Sequence, residues 1–205
     1  GESSLRVIRK HPDKLKLFGA SGHSQADKLI SIAQEFKVTN LHLSRSPDAL
    51  GSPSLETPIN FGGNGLEELA AHPEADLVVI AIVGTAALRP TLAALEAGTD
   101  VVLANKESLV LGGRIVTETA RRTGARIIPA DSEHNAVFQC LQGQNEKSLD
   151  SIVLTASGGA FRDLPIERLK EVTPEQALQH PNWKMGPKVT IDSATMANKG
   201  LELIE

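Results

Sequence analysis

The chain has 205 residues, of which 40% are hydrophobic and 22% are charged, and this length is enough for one or two domains with a hydrophobic core. The net charge of −4 provides no excess of basic residues for nucleic-acid binding, and no apolar run approaches the ~20 residues of a membrane-spanning helix. The single cysteine, Cys140, excludes a disulfide within this chain and favours a reducing compartment.

Short apolar runs alternate with helix-like segments along residues 1–130. The opening residues 2–10 have a helical pattern, and the run 76–84 is so apolar that we expect a strand buried on both faces. Strands that alternate with helices indicate a parallel sheet. We therefore predict a doubly wound, Rossmann-like α/β domain at 1–130. Its further predicted strands lie at 15–21, 40–46, 100–105 and 125–131, and its further helices at 26–36, 91–98 and 114–122.

The pattern changes from Asp131 onward, which indicates a second, incomplete α/β domain at 131–205. Because the chain begins and ends within predicted helices, we expect it to be a piece of a longer protein. The predicted elements of this second domain are a helix at 133–142, a strand at 151–159, a partly helical segment at 165–187, a strand at 188–192 and a helix at 194–205.

The chain contains no G-x-G-x-x-G loop, the signature of a dinucleotide-binding fold. If a strand precedes Gly1, that loop would lie there, and strand 15–21 would be the strand whose end meets the adenosine ribose. Gly22, His23 and Ser24 at this end include no carboxylate, which suits the 2′-phosphate of NADP better than the ribose of NAD. An ordinary polar turn explains the same residues without a ligand.

The segment "PADSEHN" (129–135) brings two carboxylates and a serine together. Asp131 and Glu133 are two positions apart, so in extended backbone their side chains point to the same side. Hard divalent cations prefer such oxygen pairs, usually with a third carboxylate and water. Ser132 faces elsewhere and could hold a substrate. The alternative is that Asp131 or Ser132 caps the following helix, and spacing alone does not decide between the two.

Glu202 in the last predicted helix is a candidate third metal ligand. It lies four positions after Asn198, so the two side chains share a helix face, with Lys199 nearby. Ser193 is predicted at a strand-to-helix junction, where free backbone N–H groups favour an anion. Ser193, Asn198 and Lys199 together suit a phosphate, and Ser157 in "TASGG" adds a hydroxyl of the same kind. The alternative for Lys199 and Glu202 is a solvent-exposed ion pair.

The segment "HPNWKMGP" (180–187) holds the only tryptophan, Trp183, between two prolines and near a glycine. A large aromatic side chain on such a loop suits a lid that excludes water from a site. The alternative is a surface loop that a buried tryptophan anchors.

Six blocks in this order resemble the 1-deoxy-D-xylulose 5-phosphate reductoisomerase family, and together they run through most of the chain. The family's G-x-T-G-S-x-G loop is missing apart from Gly1, and at His23 and Ser24 the family often has a basic residue and an asparagine. The six blocks are "AIVGTAALRPTLAALEAG", "LANKESLV", "ADSEHNAVFQ", "LTASGGAFR", "HPNWKMG" and "IDSATMANKGLELIE".

The resemblance implies roles for individual residues. The implied metal ligands are Asp131, Glu133 and Glu202. The implied catalytic residues are Lys106, Glu133, His180 and Glu202. The implied substrate contacts are Lys106, Ser132, Glu133, Ser157, His180, Trp183, Ser193, Asn198, Lys199 and Glu202. The implied cofactor contacts are Gly22, His23, Ser24, Asn105, Glu107 and Gly186.

The resemblance also implies a reaction, the conversion of 1-deoxy-D-xylulose 5-phosphate to 2-C-methyl-D-erythritol 4-phosphate with NADPH and Mn²⁺, Mg²⁺ or Co²⁺. The complete chain is expected to be a homodimer in a bacterial cytoplasm or a plastid, with no nucleic-acid or membrane partner, and this piece alone is expected to be inactive. Two alternatives stay open: a non-catalytic sugar-phosphate or nucleotide-binding module, and another NADP-linked oxidoreductase of the same fold. Neither alternative needs the whole set of carboxylates and the "SATMANKGLE" segment together.

Overall fold

The computed structural model describes residues 1–45 and 58–205, which separate into two compact units, Gly1–Ile128 and Pro129–Glu205. The family resemblance implies that residues 1–130 bind NADPH and that residues 131–205 bind the metal and the substrate, and this division of roles stays a prediction. The end of the predicted strand 40–46 lies outside the described residues. In the described part of the chain, no helix is both long and apolar enough to cross a membrane.

The first unit alternates strands and helices, as the sequence predicts. Helix α2 has the predicted bounds, while most strands are shorter than predicted. The short strand β3 was not predicted. The elements are α1 (Glu2–Lys10), β1 (Gly19–Gly22), α2 (Ala26–Phe36), β2 (Asn40–Leu43), β3 (Asn60–Phe61), α3 (Gly65–Ala70), β4 (Leu77–Ile80), α4 (Leu88–Glu96), β5 (Asp100–Leu103), α5 (Glu107–Thr123) and β6 (Ile127–Pro129).

The strands of the described residues form two three-stranded sheets with the orders β1-β2-β3 and β4-β5-β6. In the first sheet, β1 pairs parallel to β2 with Gly19 opposite Asn40, and β2 pairs parallel to β3. In the second sheet, β4 pairs parallel to β5 with Leu77 opposite Asp100. The predicted class, a parallel α/β fold, is confirmed.

Each sheet packs on its own hydrophobic core. The first core joins β2 to α2, and the second joins β4 and β5 to α4 and α5. Aliphatic side chains supply both cores, in keeping with the low aromatic content. Where the structure describes the chain, the largest fully buried aliphatic side chains are Leu41, Leu43, Leu95, Leu103, Val101 and Val116.

The prediction that strand 76–84 is buried on both faces was wrong. In β4, Ile80 is buried in the second core, but Leu77 and Val79 are 45% and 43% exposed. Successive strand residues point to opposite faces, and the described core residues cover mainly the face of Val78 and Ile80. An apolar run shows that a strand is hydrophobic, but not that both of its faces are covered.

The second unit is mostly helical in its regular structure. Two predicted strands, 151–159 and 188–192, are absent from it: the first segment has no regular structure, and the second lies inside a helix. The helices are α6 (Ser132–Leu141), α7 (Pro174–Ala177), α8 (Pro187–Ala194) and α9 (Ala197–Ile204), and short 3-10 turns lie at Glu146–Ser148 and Ile166–Glu171.

The two wrong strand predictions have different physical reasons. The segment 151–159 is apolar but has no neighbouring strand in this unit, and Val153 is 83% exposed. The segment 188–192 follows Pro187, which occupies the first helical position, where its missing N–H costs nothing. An ion pair of 2.6 Å between Lys188 and Asp192 then supports one helical turn. These local signals outweigh the strand preference of the β-branched residues.

Candidate metal and phosphate site

The start of α6 positions the first two carboxylates of the candidate metal site. Asp131 is the N-cap residue, with extended φ and ψ of −62° and 138°, and the helix begins at Ser132. Asn135 holds this turn through two hydrogen bonds. Its backbone N–H donates to the carbonyl of Asp131 at 2.8 Å, and its side-chain Nδ2 donates to the carbonyl of Pro129 at 2.7 Å.

The alternative that Asp131 or Ser132 caps α6 through its side chain is wrong. The helix has no side-chain cap hydrogen bond. Instead, the Ser132 hydroxyl donates to Oε2 of Glu133 at 2.5 Å. The segment does begin a helix, with Asp131 at the N-cap position, but without a side-chain cap hydrogen bond.

The third carboxylate comes from α9, about seventy positions later in the chain. Glu202 is buried, with 3% of its surface exposed. Asn198 donates to its Oε1 at 2.5 Å, and Lys199 contacts its Oε2. A buried carboxylate requires such partners because desolvation penalises its charge. The alternative of a solvent-exposed Lys199–Glu202 pair is therefore wrong.

Asp131, Glu133 and Glu202 converge on one point. Each offers one carboxylate oxygen, and these oxygens all lie within 4.8 Å of one another. Oxygen ligands 2.0–2.6 Å from one Mg²⁺ or Ca²⁺ ion lie at most about 5 Å apart. The donor set is made only of hard oxygen atoms, which suits Mg²⁺ or Mn²⁺ and not a thiophilic metal. The residues present therefore fit a divalent cation.

Lys199 links the carboxylates of the two helices. Its Nζ lies 2.6 Å from Oε1 of Glu133. Partial burial by itself raises the pKa of Glu133, but hydrogen bonds from Lys199 and Ser132 outweigh it and lower the pKa to about 2. Partial burial likewise opposes the charge of Lys199, and its bonds to Glu133 and Glu202 raise its pKa. Both groups are therefore fully charged at neutral pH.

No role was predicted for His134, although "PADSEHN" contains it. Nε2 of His134 lies 3.0 Å from the backbone carbonyl of Glu202, and Nδ1 lies 3.2 Å from Oε2 of Glu205 and 4.0 Å from Oδ1 of Asp131. His134 therefore joins α6 to α9 beside the carboxylates. Its spacing of three from Asp131 at a helix start was the available signal.

A second cluster joins three predicted substrate contacts. Oγ of Ser157 lies 2.9 Å from Nε2 of His180 and 3.3 Å from Oγ of Ser193. Nδ1 of His180 accepts from the backbone N–H groups of Asn182 and Trp183 at 3.1 and 2.9 Å. We therefore assign the ring proton to Nε2, which donates to Ser157.

The glycines of "TASGG" let this loop approach α8 closely. Gly159 has a φ of +68°, and a Cβ placed on it would lie 2.4 Å from the backbone oxygen of Ser193 and 2.7 Å from Cα of Ala194. Gly158 has a φ of +80°. Only glycine fits both the backbone conformation and the available space at Gly159.

The expected position of Ser193 was wrong. Ser193 lies in the last turn of α8, not at a strand-to-helix junction. The turn to α9 comes three residues later at Met196, which has a left-handed φ of 62°. Ser193 therefore offers its hydroxyl group to a ligand, and the argument from free N–H groups does not apply to it.

The loop before α8 is exposed. Trp183 has 63% of its surface accessible, so the alternative that a buried tryptophan anchors this loop was wrong. Gly186 is the N-cap of α8, and its carbonyl accepts from both the N–H and the hydroxyl of Thr190 at 3.1 and 3.0 Å. The roles of Trp183 in a lid and of Gly186 at the cofactor stay predictions.

In the first unit, the predicted cofactor contacts lie at the carboxyl ends of strands. Gly22 is the last residue of β1, and its carbonyl accepts from the N–H of Ser44 at 3.0 Å. His23 accepts similarly from Arg45 at 2.9 Å, and Ser24 follows in the same turn. This is the edge of a parallel sheet where ligands bind.

Asn105 has a structural role that the sequence analysis missed. It is 2% exposed, and its Nδ2 donates to the carbonyls of Ile82 and Gly84 at 2.8 and 3.0 Å. Its Oδ1 accepts from the N–H and hydroxyl of Ser108 at 2.8 and 2.6 Å. Asn105 thus joins the loop after β4 to the start of α5, where Lys106 and Glu107 lie.

The parallel α/β unit and the three-carboxylate cluster define an α/β protein with a candidate divalent-metal centre. The family model described as 1-deoxy-D-xylulose 5-phosphate reductoisomerase matches residues 1–113. The model described as the C-terminal domain of the same enzyme matches residues 127–205. The chain belongs to the 1-deoxy-D-xylulose 5-phosphate reductoisomerase family, which confirms the resemblance that the sequence blocks indicate.

Curated relatives agree with this assignment. The chain is 49% identical over 214 residues to the 1-deoxy-D-xylulose 5-phosphate reductoisomerase of Ralstonia nicotianae, and the match covers 100% of the chain and 54% of the relative. It is 47% identical over 207 residues to that of Bacillus cereus strain Q1, with the same coverage. The chain spans about half the length of these relatives.

Solved structures also match the whole chain. A reductoisomerase in complex with NADPH, fosmidomycin and magnesium is 44% identical, with a TM-score of 0.85 and coverage of 100% of this chain and 54% of that one. The reductoisomerase from Zymomonas mobilis in complex with NADPH is 38% identical, with a TM-score of 0.85 and coverage of 100% and 53%.

Proposed function

We propose that the whole protein converts 1-deoxy-D-xylulose 5-phosphate to 2-C-methyl-D-erythritol 4-phosphate, using NADPH and a divalent metal, in the non-mevalonate route to isoprenoids. The observation that carries this proposal is the convergence of Asp131, Glu133 and Glu202 within 4.8 Å. Family membership and relatives solved with NADPH and magnesium support it. A binding module has no need for three converging carboxylates.

The proposed metal ligands are Asp131, Glu133 and Glu202. When bound, the metal supplies Lewis-acid chemistry at the oxygens of the substrate, and NADPH supplies the hydride. Two carboxylates at the start of α6 and one on α9 would determine where the metal binds. Glu202 is buried, so its helix cannot shift without exposing or unpairing a charged group.

The proposed phosphate-binding residues are Ser157, Ser193, Asn198 and Lys199. Ser157 and Ser193 already lie with their hydroxyls 3.3 Å apart, and His180 holds Ser157 from the other side. Binding of the substrate's phosphate here would orient the reacting carbons, which lie at the other end of the substrate. We propose that Trp183 and His180 belong to a loop that closes over the substrate and excludes water.

Further roles follow from the family resemblance. We propose Lys106 as a substrate contact and catalytic residue, Ser132 as a substrate contact, and Gly22, His23, Ser24, Glu107 and Gly186 near the cofactor. Asn105 would act at the cofactor site because it follows the carboxyl end of β5 and its hydrogen bonds with Ser108 position the start of α5. A homodimer, Mn²⁺ as an effective metal, and a bacterial cytoplasmic or plastid location are proposals of the same kind.

The experiment is an assay of the full-length protein for NADPH oxidation that depends on 1-deoxy-D-xylulose 5-phosphate. We expect turnover with Mn²⁺ or Mg²⁺ and its loss with a chelator. Glu133→Gln, which keeps the shape but removes the charge, should lower kcat by more than about a hundredfold. The control is Glu167→Gln, an exposed glutamate of the same unit. Turnover that survives chelation would reject the proposal.

A further inference from the structure

Lys199 contacts one oxygen of each of two carboxylates in the candidate metal site. Oε2 of Glu133 already accepts from Ser132, and Oε1 of Glu202 already accepts from Asn198, both at 2.5 Å. The other oxygen of each carboxylate, Oε1 of Glu133 and Oε2 of Glu202, is in contact with Nζ of Lys199. The ammonium group and a divalent cation would therefore compete for the same atoms.

This contact is more than an ordinary ion pair along one helix. Lys199 and Glu202 are three positions apart on α9, but Glu133 lies 66 positions away on α6. The side chains of Lys199 and Glu133 are only 18% and 19% exposed. Solvent screens such a pair less than a surface pair, so the ammonium charge opposes another cation at close range.

We propose that Lys199 is an internal counter-ion of the carboxylate set, which a divalent cation displaces on binding, so that metal binding makes the ammonium group available to the phosphate of the substrate. This inference rests on the proposed function, since that function places a metal on Glu133 and Glu202 and a phosphate on Lys199. It adds a coupling between the two sites through one side chain.

The backbone around Lys199 suits this exchange. The N–H of Lys199 donates to the carbonyl of Met196 at 3.1 Å, and the N–H of Met196 donates to the carbonyl of Ser193 at 3.2 Å. Two hydrogen bonds therefore connect Lys199 to Ser193, whose hydroxyl lies in the second cluster. A long, flexible lysine side chain can change partners without moving this backbone.

The first test measures Mn²⁺ binding to the full-length protein, with electron paramagnetic resonance reporting the concentration of the free ion. The pH is about 8, where carboxylates are ionised. Lys199→Met should bind Mn²⁺ more tightly, on the order of tenfold, because a competing cation is gone. Lys199→Gln is a second variant and should likewise bind Mn²⁺ more tightly than the unaltered protein. The control, Lys188→Met, removes a lysine that pairs with Asp192 on α8 and should leave the affinity unchanged.

The second test is linkage with methyl phosphate, a phosphate monoester without the ketone of the proposed substrate. In the unaltered protein, methyl phosphate should tighten Mn²⁺ binding severalfold, and Mn²⁺ should tighten methyl phosphate binding by the same factor. In Lys199→Met this coupling should disappear. Equal Mn²⁺ affinity in the unaltered protein and both Lys199 variants, or weaker affinity in the variants, would overturn the inference and leave the proposed function standing. Absence of Mn²⁺ binding to the unaltered protein would overturn both.

Discussion

Oγ of Ser157 lies 2.9 Å from Nε2 of His180, although 23 positions separate the two residues. The same hydroxyl lies 3.3 Å from that of Ser193. Three segments of the second unit therefore meet at Ser157, and each had been assigned a phosphate or substrate contact from its sequence block alone.

Replacing Ser157 by alanine should weaken substrate binding. A hydrogen bond to a charged group contributes about 1.5–3 kcal/mol, so Ser157→Ala should raise the KM for 1-deoxy-D-xylulose 5-phosphate by about ten- to a hundredfold. The control is Ser148→Ala, which removes an exposed hydroxyl that donates to the carbonyl of Asn145 at 2.6 Å. If the two variants have the same KM, Ser157 does not hold the phosphate.

Replacing Gly159 by alanine should destabilise the protein. The added Cβ would lie 2.4 Å from the backbone oxygen of Ser193, at a residue with a φ of +68°. Gly143 is a matched control, since it has a φ of +72° and nothing within 4 Å of an added Cβ. We expect Gly143→Ala to lower the free energy of unfolding by about 1 kcal/mol from backbone strain. Gly159→Ala should lower it by about 2–4 kcal/mol from strain and overpacking together.

Denaturant unfolding of the full-length protein measures this difference. Equal losses in the two glycine variants would show that the close contact with α8 is absent in solution.

Asn105 should be important for folding as well as for the candidate cofactor site. Its replacement by alanine would leave the carbonyls of Ile82 and Gly84 and the N–H of Ser108 without this partner. We expect a loss of about 2–4 kcal/mol in the free energy of unfolding. Asn40→Ala removes a single bond of 3.2 Å to the carbonyl of Phe18 and should cost about 1 kcal/mol. Thermal or denaturant unfolding measures both losses. A larger loss of stability in Asn40→Ala than in Asn105→Ala would contradict these hydrogen bonds.

The lowered pKa of Glu133 predicts a pH dependence of stability. Because its pKa is about 2 in the folded chain and about 4.3 in an unfolded chain, ionised Glu133 stabilises the fold above about pH 4.3. This contribution decreases as the pH falls toward 2. We expect about 1–2 kcal/mol, less than the full shift implies, since solvent partly screens the pair.

The measurement compares the unfolding free energy of the unaltered protein and Glu133→Gln between about pH 7 and pH 2 in the presence of a chelator. Lys199 keeps Glu202 as a partner in this variant. The difference between the two proteins should shrink as the pH decreases. A difference that is constant with pH would contradict the charged pair.

Local sequence patterns predicted much of the fold. The periodicity of 26–36 gave the bounds of α2, and the alternation of apolar runs with helices gave the parallel sheet. The errors arose where one local signal outweighs another, as at 188–192, or where non-local contacts decide the structure, as in β4. The β-branched residues at 188–192 favour a strand, but a strand needs a partner, and Pro187 begins a helix instead. The exposure of Leu77 and Val79 depends on which other elements pack on the two faces of β4, and the sequence of the strand does not show this.

The candidate site was only partly predictable from residue spacing. Spacing allowed Asp131 and Glu133 to share a metal but did not exclude a cap, and nothing local connects them to Glu202. The resemblance to the family suggested this connection, and the structure brings the three carboxylates within 4.8 Å. The contacts of Lys199 with Glu133 and of His134 with the carbonyl of Glu202 depend on how α6 packs against α9, which spacing does not reveal.

The most direct test of the metal site is a crystal structure of the full-length protein grown with Mn²⁺, with anomalous diffraction recorded at an energy where manganese scatters. The proposal predicts one anomalous peak about 2–2.6 Å from a carboxylate oxygen of each of Asp131, Glu133 and Glu202. It also predicts that Nζ of Lys199 has moved away from Glu133. No peak at these carboxylates, or a peak bound elsewhere in a protein that turns over its substrate, would contradict the proposal.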